Sequence, residues 1–248
     1  MRKIIFFLLF IFFVSAASAQ KSIRDSISFP MLGASFQYQM PGGDMAKRFG
    51  NNFNVGGFLN WKLKDNWIFG VDGDFIFSDQ VKENSISYLM TKDGYIINSS
   101  GLYAQTSTYE RGFLFSAKAG KVFHFFGPNP NSGLMTTIGA GILQHKIRIE
   151  EKDNSVPELN GDYKKGYDRL TNGLAITEFI GYLHCGNNRL INFFTGFELT
   201  QAFTKSRRDW DFATVMKDDK SRVDLLFGVK FGWFFPIYKH AVNAYYIN

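Results

Sequence analysis

The chain has 248 residues, a single cysteine, 17% aromatic side chains and a formal charge of +6. One cysteine excludes an internal disulfide framework, and basic residues are interspersed with acids, as in Lys217-Asp218-Asp219-Lys220, which excludes the basic stripe of a nucleic-acid binder. Beyond Phe13 no apolar run approaches the ~18 residues that a spanning helix needs, so a helical membrane protein is excluded while one that crosses with strands is not.

Arg2 and Lys3 precede the apolar run Ile4 to Val14, and Ala17-Ser18-Ala19 supplies an A-x-A cleavage site. This is the layout of a secretory signal peptide, so the expected limits are 1–19 for the signal and 20–248 for one mature domain. Loss of Arg2 and Lys3 leaves a charge of +4. No cysteine follows the site, which argues against a lipoprotein.

From there the dominant signal is a period of two, the mark of a β-strand, whose successive side chains leave on opposite faces. Leu32 to Met40 sets Leu32, Ala34, Phe36, Tyr38 and Met40 against Gly33, Ser35, Gln37 and Gln39, and Pro41-Gly42-Gly43 is expected to end it. Phe53 to Leu63 alternates in the same way. Asp65-Asn66 reads as a two-residue hairpin turn, after which Trp67, Phe69, Val71, Phe75 and Phe77 oppose Ile68, Asp72, Asp74 and Ile76. Trp61 and Trp67 beside one tight turn suit the aromatic girdle of a membrane barrel at its periplasmic end.

Residues 78–107 read as a long extracellular loop, with scope for a hairpin standing above the membrane. The fourth strand is expected over Thr108 to Val122 and the fifth over Leu134 to Ile149, separated by the turn cluster at 127–133. Residues 150–169 form a charged loop. The sixth strand, Gly173 to His184, is ambiguous: an inward Glu178 carries Ile176 and Ile180 inward with it, so a bulge is expected to reset the phase. A short turn at Cys185–Asn188 leads to a clean strand over Ile191 to Thr200, then a loop from Thr204 to Ser221, then the longest alternation, Val223 to Phe235. Residues 239–248 are expected to form a short periplasmic tail. About eight strands with alternating short and long connections describe an antiparallel up-and-down membrane barrel.

The direction of the faces decides the protein. With the apolar faces toward lipid, the lumen receives Lys62, Asp72, Asp74, Glu110, Lys118, Glu198, Arg222, Asp224 and Lys230, whose signs nearly balance, as buried charges require. The reverse, a soluble lipocalin-like barrel, crowds an interior only just wide enough for side chains with Phe, Trp and Leu.

No reaction is expected, and no cofactor or metal. The histidines lack metal spacing, and Asp209, Asp211, Asp218 and Asp219 have Arg207, Arg208, Lys217 and Lys220 beside them. His145, with Glu150 and Glu151 near it, is the one candidate for an enzymatic site at the barrel rim. Tyr88, Tyr95, Tyr103, Tyr163, Tyr167, Trp210 and Phe212 are candidate loop contacts, since aromatic side chains are frequent anchors at interfaces.

Gly50-Asn51-Asn52, NWKLKDNWIFGVDGDFIF (60–77), GPNPNSGL (127–134), GAGILQHKIRIE (139–150) and GVKFGWFFPIY (228–238) resemble the small eight-stranded outer-membrane β-barrel proteins of Bacteroidota. The resemblance implies residence in the cell outer membrane, contact with its lipid, and a structural or partner-binding role, for example as a subunit of a larger outer-membrane complex for secretion or barrel assembly. A narrow solute pore is the alternative. The resemblance carries no functional residue over.

Overall fold

The computed structural model describes residues 25–186 and 191–237. The expected signal peptide, the tail at 239–248 and part of the Cys185–Asn188 turn lie outside the described residues.

Eight strands close into one antiparallel barrel: β1 (Phe29–Gly43), β2 (Asn52–Lys62), β3 (Trp67–Ser78), β6 (Thr106–Phe123), β7 (Gly133–Glu151), β8 (Thr171–Cys185), β9 (Asn192–Ser206) and β10 (Ser221–Pro236). Sequential strands are neighbours, and β1 pairs with β10 to seal the ring. Two short strands, β4 (Ile96–Ile97) and β5 (Tyr103–Ala104), form a hairpin in the loop after β3, and one helical turn, α1 (Met45–Arg48), follows β1. The barrel strands run from 11 residues in β2 to 19 in β7. Each therefore meets the ~9–11 residues that a tilted strand needs to cross a bilayer.

The apolar faces point out. Leu32, Phe36, Leu59, Phe69, Phe113 and Phe231 are exposed, while Lys62, Asp72, Asp74, Glu110, Asp224 and Lys230 are buried inside. A continuous hydrocarbon exterior around a charged interior is unstable in water and stable in lipid, so this is a membrane-spanning barrel and the lipocalin-like orientation is overturned.

Three details differ from the sequence reading. The β2–β3 turn has three residues, Lys64-Asp65-Asn66: Leu63 N donates to Trp67 O at 2.8 Å and Asn66 N to Leu63 O at 3.1 Å, with Asn66 at φ +66°. A left-handed third position is what a three-residue hairpin loop requires, and asparagine tolerates it. β1 continues through Pro41-Gly42-Gly43, paired with β10 as far as Gly43↔Asp224. β8 contains no bulge. It pairs in unbroken register with β7 and β9, so Ala175, Thr177 and Phe179 face the lumen, and Ile176, Glu178 and Ile180 face out.

Two apolar clusters lie within the fold. At the short-turn end Phe58, Phe179, Phe194 and Phe234 pack with Met31, Ile68 and others; at the loop end Ile76, Leu114, Leu143 and Leu226 join Phe49, Ile86 and Leu159 from the connections. Inward glycines give the rings room. A Cβ on Gly232 would sit 2.2 Å from the Phe194 ring.

Gly232→Val is expected to force the Phe194 ring from its place and to lower stability by about 1–3 kcal/mol, the usual cost of overpacking. Val71→Arg, on the lipid face, is expected to cost ~2–4 kcal/mol if it lies near the midplane. Urea unfolding of protein folded into lipid vesicles, followed by tryptophan fluorescence, measures both.

Candidate functional site: the closed lumen and the loop platform

The lumen is layered. At the short-turn end, Lys62 is fully buried and held by oxygens: Asn131 Oδ1 at 2.9 Å, Ser26 Oγ at 3.1 Å, and the carbonyls of Ile27 and Leu63 at 3.3 Å. Lys62 therefore does not join the ion-pair network expected of it. Neutral acceptors from the chain before β1, the β2–β3 turn and the β6–β7 turn converge on one ammonium. Asn129 and Ser132 fasten that second turn to the carbonyl of Cys185 at 2.7 and 3.3 Å.

Above this lies the aromatic plug. Phe58 and Phe179 flank Phe194 at ring distances of 5.2 and 5.5 Å, and the Lys118 ammonium lies 5.6 Å from the Phe58 ring and 5.8 Å from the Phe194 ring. Lys118 then pairs with Asp72 at 2.6 Å. Lys230 occupies the centre, 3.1 Å from Glu198, 3.3 Å from Asp74 and 3.5 Å from Asp72. Five strand-borne side chains thus meet, from β3, β6, β9 and β10, because each stands at an inward position of its own alternation. Gly56 leaves the space that Asp74 fills, since a Cβ there would fall 1.9 Å from its Oδ1.

Toward the loops the lumen is lined by the buried amides Gln37, Gln39, Asn52 and Asn54. Glu110 accepts from Asn52 at 3.1 and 3.2 Å and has no ion-pair partner among the described residues. Asp224 accepts from Thr204 Oγ1 at 2.5 Å and lies 3.0 Å from His145 Nε2. His145 is therefore a lumen residue with Phe49 edge-on at 5.5 Å, and the expectation of a rim site with Glu150 and Glu151 is corrected. The pair is buried beside the loop-end cluster and joins β7 to β10 across the lumen. Among the described residues no three His, Cys, Asp or Glu side chains gather at metal-binding spacing.

The loops are ordered by a second charge network. Arg48 Nε and Arg169 Nε take the two oxygens of Glu83 at 2.8 and 2.9 Å. Arg169 also contacts Asp211, Arg222 contacts Asp218, and Arg208 pairs with Asp168 at 2.5 Å. All four long connections are joined. Arg222 belongs to this upper network and stands largely buried at the mouth, not in the deep lumen. Burial pushes the Asp218 carboxyl up, but the Arg222 hydrogen bond and charge, with help from Lys220 and Arg48, hold it below the ordinary carboxylate value.

Of the aromatic loop residues, Tyr88, Tyr95, Tyr103, Tyr163 and Trp210 are exposed. Tyr167 and Phe212 instead pack inward. Tyr167 is buried, Phe212 packs edge-on against it at 5.5 Å, and the bare Gly166 makes room for the Phe212 ring. Both serve as the roof of the loop-end cluster.

No protein-family model matches the chain, and no curated protein matches its sequence. Among solved structures it is similar to Neisserial surface protein A (11% identity, 83% of this chain and 97% of that one, TM-score 0.42). It is also similar to the attachment invasion locus protein Ail of Yersinia pestis (12%, 84% and 99%, 0.39) and to the outer membrane protein OprG of Pseudomonas aeruginosa (11%, 86% and 97%, 0.35). At such scores the membrane-spanning character rests on this barrel's own exterior and lumen.

Lys230→Met should strand three carboxylates with only Lys118 and cost about 3–5 kcal/mol in the same unfolding assay. Asp218 has a depressed pKa, so its contribution is present above its unfolded value near 4 and is lost as pH falls through the lower folded value. Proteolytic protection of residues 207–220 is therefore expected to persist at pH 5 and to fail in stronger acid; Asp218→Asn should lose part of it already at pH 7.

Proposed function

We propose that the protein is an outer-membrane binding element: exported by its N-terminal signal, cleaved after Ala19, non-conducting, and presenting four fastened extracellular loops to a macromolecular partner. It takes part in no reaction of its own. A structural or subunit role within a larger outer-membrane assembly for secretion or barrel assembly fits this reading.

The observation that carries it is the contrast between a blocked lumen and an exposed ridge on a rigid base. The aromatic plug, the Lys230 cluster and the loop-end apolar cluster lie one above another along the axis, which leaves little aqueous space inside an eight-stranded barrel. This weighs against a solute pore. On the β4–β5 hairpin, by contrast, Ile96 is buried in the loop-end cluster while Ile97, its chain neighbour, is exposed. Tyr95 and Tyr103 lie ring to ring at 4.7 Å, with Tyr88 and Leu102 exposed nearby. An apolar ridge held in place by its own underside loses little conformational entropy on binding, which is the economy of a pre-formed interface. Large apolar side chains kept in water on an ordered loop mark a contact surface.

Planar-bilayer recordings of the purified barrel are expected to show no steady conductance; open steps would overturn the closed-lumen reading. Paired Tyr95→Ala and Tyr103→Ala substitutions should leave the folded barrel intact and abolish, by tenfold or more, proximity labelling of the neighbours that the wild-type protein labels in intact outer membranes. Unchanged labelling would sink the role given to the ridge.

A further inference from the structure

The outer surface of the barrel carries one anomaly. Glu178 is the eighth of the fifteen residues of β8 and points outward, between Ile138 on β7 and Leu199 on β9, with Ile176 and Ile180 along its own strand. Among the described residues it has no hydrogen-bond or ion-pair partner. Other outward charges stand near the rims: Lys121 over the Trp67 ring at the short-turn end, Arg111, Lys146 and Lys205 toward the loops. A lone ionisable group at mid-depth in hydrocarbon is costly, and such groups are retained where they meet a partner.

The surface around Glu178 has the shape such a partner needs. On one side Ala117, Ala119 and Ala140 form a shallow hollow of about 470 Å³, beside which Ile138 projects, 59% exposed. On the other a groove of about 360 Å³ runs past Leu199, Phe227 and Met40, and Phe197 projects at its edge, 68% exposed. A two-fold axis parallel to the membrane normal at β8 places the β7 side of one molecule on the β9 side of another. Each Phe197 then faces the other molecule's alanine hollow, and each Ile138 faces the other's groove. The two β8 strands meet at the centre, with their Glu178 side chains opposed. Self-complementarity of this kind defines an isologous contact, and small residues with a polar group among them are what packs protein against protein in lipid.

We propose that the β7–β9 face is a membrane-buried two-fold interface between copies of this chain, in which the two Glu178 side chains meet across the axis. The contact takes both Glu178 side chains out of lipid and into a protein interior.

The mature chain in lipid nanodiscs and in detergent, examined by native mass spectrometry and disulfide trapping, tests this. A dimer is expected. Ile180→Cys should trap it as a covalent pair, and Val55→Cys on the opposite face should not. Glu178→Lys should shift the population to monomer, Glu178→Gln should keep it dimeric through an amide pair, and Ala140→Trp, which fills the hollow, should weaken association at least tenfold. Each variant is used only if its heat-modifiable electrophoretic shift shows a folded barrel. A wild-type monomer at every protein-to-lipid ratio would overturn the proposal. So would a dimer indifferent to both Glu178→Lys and Ala140→Trp, trapping through Val55→Cys instead of Ile180→Cys, or a monomer that engages a different membrane protein through Glu178.

Discussion

Hydrocarbon on the outside of a closed sheet is the constraint on which everything else here depends. Lipid offers no hydrogen bonds, so every backbone group must pair within the ring and every polar side chain of a spanning strand must find its partner inside. The eight strands meet the backbone demand by closing the ring, and alternation turns their polar side chains inward, Glu178 excepted. The same constraint makes the lumen a problem of its own, since it receives nearly half of each strand and water can reach it only from the ends.

The protein resolves that problem in layers. Aromatic rings fill the short-turn end, where inward glycines such as Gly232 give them room. Lys118 rests on those rings and pairs upward with Asp72, so one side chain joins the apolar layer to the ionic one. Lys230 gathers Asp72, Asp74 and Glu198, and the amides of β1 and β2 carry the polar lining on to Asp224 and His145. Above them the connections supply a second apolar layer and a second set of ion pairs. The rigidity of the barrel is thereby passed to the loops, and a hairpin such as β4–β5 can expose tyrosines without collapsing onto the surface.

Much of this could be read from the residues alone, and the reasons for success and failure are physical. Strands β1, β2, β3, β9 and β10 were legible, faces included, because lipid outside and charge inside impose a period of two with little tolerance. β8 departs from the pattern because one outward carboxylate, Glu178, breaks that rule, and in sequence a bulge costs less than a charge in lipid. His145 shares its alternation with Leu143 and Ile147, so its inward place was available in principle. The signal was obscured because the outward set of β7 passes from Ile138 and Ile142 to Gln144 and Lys146 as the strand leaves the apolar belt. The polarity of Lys62 was correct, but its partners are carbonyls and a turn asparagine, which no charge count discloses. In the loops no period exists. Nothing in sequence separates Tyr167 and Phe212, which roof the core, from Tyr95 and Tyr103, which face solvent, or names Arg48 as the residue that ties the first connection to the second.

The central cluster also bears on how the ring comes to be complete. Asp72 and Asp74 lie on the third strand of the chain, Glu198 on β9, and the ammonium that serves all three on β10, the strand that must dock against β1. Until that docking, a curved but open sheet holds three carboxylates against Lys118 alone, and its concave side repels itself. The arrival of Lys230 removes the imbalance in the same movement that joins the edges. An unfinished barrel is thus electrically distinguishable from a finished one, and the final strand works as a keystone, recognised by its charge as well as by its backbone.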